Sequence, residues 1–139
     1  MPSNRARDLA SHRGLRAAVF VLALLQVVAH AAFVRIPFVL RPAGAYFLLA
    51  TALYLIGGLA VLFVSGRLFR IANLGLIFLA IIDDLLIIYT RSYPSIFFGG
   101  RILPWSASWN PPGTVQVFVG QVILIIFSAM LLKKTSGSH

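Results

Sequence analysis

Four long apolar stretches, each bounded by basic residues or turn formers, set the pattern of this chain. Residues 15–34, 43–64, 71–90 and 114–132 are each continuous enough to cross a bilayer core, which takes about 20 mostly apolar residues. The pattern predicts one all-α domain over residues 15–132, an integral membrane four-helix bundle. The short connections RIPFVLRP and SGRLFR make consecutive helices antiparallel neighbours. Residues 1–14 read as a basic cytoplasmic tail and residues 133–139 as a second one.

Polar residues inside these stretches carry the next layer of information. The run LAIIDDLLIIY, residues 79–89, places Asp83 and Asp84 side by side in an otherwise apolar helix. Each acid at mid-helix costs roughly 2.5 to 3.5 kcal/mol to insert, and two adjacent acids in a low dielectric do not both carry charge cheaply. Asp84 lies seven residues below Arg91, a depth of about 10 Å at the helical rise.

The same count on the other helices reaches His30, five residues below Arg35, with Gln26 one turn deeper on the same face. On the second helix it reaches Thr51 and then Tyr54; on the fourth it reaches Gln121, with Ser128 at i+7. A polar atom facing lipid has no water to bond, so these stripes are expected to turn inward. The candidate intramembrane site is therefore Asp83, Asp84, His30, Gln26, Thr51, Tyr54 and Gln121. The plainer reading of Gln, Thr, Tyr and Ser is interhelical hydrogen-bond glue, contributing about 0.6 kcal/mol each.

Residues 91–113 make a connection far longer than a bundle requires. Tyr93, Phe97, Phe98, Trp105 and Trp109 suit a membrane interface, four prolines stiffen the segment, and Gly99-Gly100 supplies a bend. The expected role is an interface loop that docks a partner, ahead of a moving lid. Gly57, Gly58 and Ala60 offer a small-residue face for close helix contact in an oligomer.

Composition agrees with the membrane assignment, at 60% hydrophobic and 11% charged residues. No soluble domain of this length buries that much apolar surface. The net charge of +9 would suggest nucleic acid in a soluble protein. Here the basic residues cluster at helix ends and read as anchors, so no nucleic-acid partner is expected. Arg5, Arg7, Arg13, Arg16, Arg67, Arg70, Lys133 and Lys134 fall on one side, against Arg35, Arg41, Arg91 and Arg101 on the other. That imbalance favours cytoplasmic termini in a multi-pass protein of the cell membrane. Arg91 itself is expected to snorkel to headgroups.

A competing reading makes the N-terminus a secretory leader cleaved near Ala29-His30-Ala31, which would remove His30. The apolar run continues past that triplet to Val34, which suits a spanning helix better.

Absent cysteine excludes thiolate chemistry and disulfides. His30 with two acids is a conceivable transition-metal set, but no third acid follows at short spacing to hold a diphosphate through a metal. Metal binding stays open, no cofactor is expected, and a metal-dependent lipid-modifying enzyme is the least favoured class. The favoured function is a non-catalytic accessory or assembly subunit in the bilayer, paired with other membrane subunits or with copies of itself. The alternative is a proton- or cation-conducting transporter or channel protomer built on the Asp pair and His30.

Overall fold

The computed structural model describes residues 12–34, 41–109 and 111–136. Residues 1–11, 35–40, 110 and 137–139 lie outside it, and with them most of the predicted N-terminal tail and of the expected loop RIPFVLRP. The described residues form four long helices and no strand: α1 (Arg13–Val34), α2 (Arg41–Phe63), α3 (Gly66–Ser92) and α4 (Thr114–Ser136). Each is long and apolar enough to span a membrane.

α1 runs unbroken through the triplet at 29–31. α3 begins five residues earlier than the hydropathy pattern predicts, because SGRLFR is not a loop. Only Val64 and Ser65 separate α2 from α3, and Gly66, at φ 70°, takes the left-handed conformation that the reversal needs. Phe69, one turn into α3, is then buried in the core rather than exposed in a connection. At the other end of the chain, α4 continues past Lys133 and Lys134, whose charges favour a helix C-terminus.

The helices form a ring in which α1 packs on α2 and α4, and α3 packs on the same two helices. Val19 and Ala23 of α1 meet Tyr54 and Val61 of α2, Leu76 and Ala80 of α3, and Leu124 and Leu131 of α4 in one core cluster. Outside it, Leu48, Ile56, Phe63, Phe78, Leu85 and Ile126 stand exposed, as a lipid-facing surface would have them. Gly58 faces α1, where a Cβ would lie 3.0 Å from that of Ala23. The small-residue face of α2 is thus at least partly used within the bundle.

Between α3 and α4 the chain folds back on itself as an ordered plate. Ser95 organises its first half: its carbonyl accepts from the amides of Phe98 and Gly100, and its hydroxyl accepts from the amide of Phe97. Ser106 organises the second half, accepting from Thr114 N through its hydroxyl and from Val115 N through its carbonyl. Leu103 N donates to Thr90 O at 2.9 Å and ties the plate to the end of α3.

Gly113 sits where the two arms of this fold-back touch. A Cβ there would fall 2.5 Å from Ser106 O and 2.8 Å from Ser108 N, both rigid backbone atoms. Gly113→Ala is therefore expected to cost about 1 to 3 kcal/mol as overpacking. The plate should loosen first, read as a shift in tryptophan emission ahead of helix unfolding in an SDS titration. An unchanged emission and midpoint would remove the packing argument.

Candidate functional site

The plate caps one end of the bundle, called here the loop end, and the polar residues gather beneath it. Asp83, on α3 and 3% exposed, is their hub. Its Oδ1 accepts from the Tyr46 hydroxyl. Its Oδ2 accepts from the Tyr54 hydroxyl at 2.5 Å and from Gln121 Nε2 at 3.1 Å. Gln121 Nε2 also lies 3.3 Å from Tyr54 Oη. Four helices therefore meet on one carboxylate: α1 through His30, α2 through both tyrosines, α4 through Gln121, and α3 through Asp83 itself.

The contact with His30 holds a shared proton. His30 Nδ1 lies 2.8 Å from the backbone carbonyl of Gln26, and a carbonyl only accepts, so Nδ1 carries hydrogen. Nε2 then faces Asp83 Oδ2 at 3.1 Å across one further proton, held by either partner. The ring is set in place by Tyr54, 5.2 Å away centroid to centroid, and by Phe47 at 6.0 Å.

The remaining candidates fall elsewhere. Asp84 is buried next to the hub but outside it, and its Oδ1 has no hydrogen-bond partner among the described residues. Thr51 turns its hydroxyl back to Phe47 O at 2.7 Å, an ordinary i−4 bond within α2. Gln26 supplies the hub only with its backbone carbonyl, while its side-chain amide is buried with no partner among the described residues. Farther from the loop end, Asn73 Nδ2 donates to Ser128 O at 3.0 Å and joins α3 to α4. Among the described residues no group of three or more His, Cys, Asp or Glu converges to hold a metal ion.

Tyr46 is a member of the hub that sequence reasoning missed. Its signal was present: Tyr46, Ala50 and Tyr54 are spaced four apart and share one face of α2, so two hydroxyls flank any acid opposite.

Between hub and plate lies a cavity of about 160 Å³. His30, Asp83 and Tyr46 make its floor, Phe33, Phe47, Leu86, Ile87 and Val117 its walls, and Phe97, Phe98 and Leu103 of the plate its roof. Phe98 is the inward ring of the loop, 6.3 Å from Phe47, which in turn stacks on Phe33 at 5.3 Å. Beyond Phe97 in the roof, the other interface aromatics lie outside the cavity lining. Trp105 packs edge-on against Phe118 of α4, Tyr93 stacks on Tyr89, and Trp109 is 73% exposed.

Arg91 also lines the cavity and does not follow the snorkelling expectation. Its guanidinium donates to Thr90 Oγ1 at 2.7 Å and to Thr114 Oγ1 at 2.8 Å, linking the end of α3 to the start of α4. No family model, curated protein or solved structure matches this chain.

Proposed function

We propose that this chain is a non-catalytic accessory subunit of a cell-membrane assembly, and that its own contribution is a binding cavity for a small, largely apolar molecule. The observation that carries the reading is the cavity itself, with aromatic and aliphatic walls, a hydrogen-bonded floor and an ordered roof. Such concave apolar sites with a few fixed polar groups are the usual form of a small-molecule site. In this reading consecutive helices run antiparallel, both termini are cytoplasmic and the cavity opens on the outer side. Arg16 bonding to Val61 and Val64, and Asn73 bonding to Ser128, support the antiparallel order of α1 with α2 and of α3 with α4. Lipid covers the exposed apolar faces, and a larger subunit or a second copy covers part of them.

Two measurements test it. Gentle extraction from native membranes should give a mass well above 15.2 kDa with defined proteins comigrating; a lone chain would end the subunit reading. Organic extracts of the purified chain should contain a species that disappears in Val117→Phe, a variant that fills the cavity from α4. The binding reading is wrong if both proteins yield the same extract.

A proton- or cation-conducting role has one observation in its favour, the contact of His30 Nε2 with Asp83 Oδ2 at 3.1 Å in an apolar setting. Conduction also needs a polar route onward. Below the hub Gln26, Asn73 and Ser128 are buried, but they are set among the closely packed Leu76, Ala80, Leu124 and Val61, which favours binding. Liposomes containing the chain should pass protons no faster than empty ones; flux lost on Asp83→Asn would reverse the preference.

A further inference from the structure

We infer that the cavity takes a single-chain monocarboxylate amphiphile, its carboxylate on Arg91 and its short hydrocarbon chain in the apolar space above His30 and Asp83. The inference rests on the binding reading and adds the chemistry of the occupant.

Charge is the first argument. Arg91 lines the cavity, and no carboxylate among the described residues lies within ion-pairing distance of it. Its Nη1 and Nη2 each donate to a neutral threonine hydroxyl, and its Nε is buried with no hydrogen-bond partner among the described residues. A guanidinium has five N–H donors, so three remain after those two bonds. The Nε–H is covered by the protein itself, which leaves one N–H on each Nη, the end-on fork that a two-oxygen anion can bridge. One monoanion balances this one unmatched cation.

The floor supplies the second argument. Both oxygens of Asp83 and both ring nitrogens of His30 are already engaged, and the hydroxyls of Tyr46 and Tyr54 both donate to that carboxylate. The floor therefore presents a satisfied polar network rather than an empty docking point, and what fills the space above it is hydrocarbon. Size sets the length of chain. A cavity of 160 Å³ is close to one of about 150 Å³ that holds a six-carbon ring, so a chain of roughly that carbon number fits and a pair of long acyl chains does not.

The test uses the full chain in phosphatidylcholine nanodiscs, titrated with octanoate, octanol or inorganic phosphate, with heats from empty discs subtracted. Octanoate should bind saturably, and Arg91→Gln should weaken it about tenfold or more while leaving octanol binding unchanged. Arg91→Lys should recover part of the octanoate affinity, because it restores the charge without the fork. Unchanged octanol binding also reports that the variant is folded. Equal binding of octanoate before and after Arg91→Gln overturns the carboxylate assignment and leaves the cavity reading intact. Binding of neither octanoate nor octanol overturns both. Phosphate binding as strong as octanoate, or displacement of octanoate by phosphatidylglycerol, would give the arginine to a free anion or a lipid headgroup and overturn the proposal.

Discussion

Replacing Asp83 by Ala should destabilise the folded chain by about 3 to 5 kcal/mol, the range for removing one partner from a buried charged network. The size follows from what the carboxylate leaves behind. Tyr46, Tyr54 and Gln121 each lose an acceptor in the bundle interior, and His30 loses the carboxylate that faces its Nε2. A buried donor left unpaired costs about 1 to 3 kcal/mol on its own, and these four compete for what little rearrangement the site allows. Asp83→Asn should cost less, since an amide oxygen still accepts from Tyr54 and Gln121, but it keeps the conflict with His30. With Nδ1 already donating to Gln26, a neutral ring can only accept at Nε2, and so can the amide oxygen opposite. The neighbouring acid supplies the control. Asp84 has an oxygen with no bond to lose, so Asp84→Asn should change stability by less than about 1 kcal/mol. Unfolding midpoints in mixed SDS and maltoside micelles, followed by helicity, decide the matter. Equal losses for the two aspartates would dissolve the hub as a structural unit.

That distinction between adjacent aspartates was beyond the sequence. Counting depth from the flanking arginines and turn residues puts His30, Tyr54, Gln121 and the acids in one layer, because the helical rise is constant and the membrane sets a common origin. Facing is harder. Residues 83 and 84 differ by about 100° around α3, and α3 has two neighbours, so both positions can be buried while only one meets α1 and α2. Depth alone treats Asp83 and Asp84 alike, yet the polar contacts gather on Asp83.

Arg91 and the loop aromatics show the same limit in another form. The partner of Arg91 that matters is Thr114, 23 residues away, and it arrives only because Ser95 and Ser106 fold the intervening chain back. Aromatic content marked residues 91–113 as interfacial, but not which ring would turn inward. Phe98 does so because it closes the short turn that Ser95 starts and comes to rest against Phe47. Helix count, by contrast, depends on composition over 20 or so residues, and no single contact alters it.

At the opposite end of the bundle, Arg16→Ala should cost about 3 kcal/mol, although a positive charge near a helix start reads as a topology signal. The side chain is 3% exposed. Its Nη1 donates to Val61 O at 3.1 Å and to Val64 O at 2.9 Å, carbonyls at the end of α2 that have no helical turn beyond them. Its guanidinium lies 4.2 Å from the centre of the Phe69 ring at the start of α3. One residue of α1 thus caps α2 and seats α3, at the point where only Val64 and Ser65 join them. Charge-assisted bonds are worth about 1.5 to 3 kcal/mol apiece, and a cation over an aromatic face adds about 1 to 2 when desolvated. The effects overlap, so their sum overstates the loss. Arg16→Lys separates the parts: an ammonium still neutralises the carbonyls but lacks the flat face that lies against Phe69, and should recover roughly half of the stability. A topology signal would be indifferent to that exchange, because both residues carry the same charge. Equal micelle unfolding midpoints for wild type, Arg16→Lys and Arg16→Ala would return Arg16 to the role of an anchor. A graded loss places the reversal between α2 and α3 under the control of a side chain from α1.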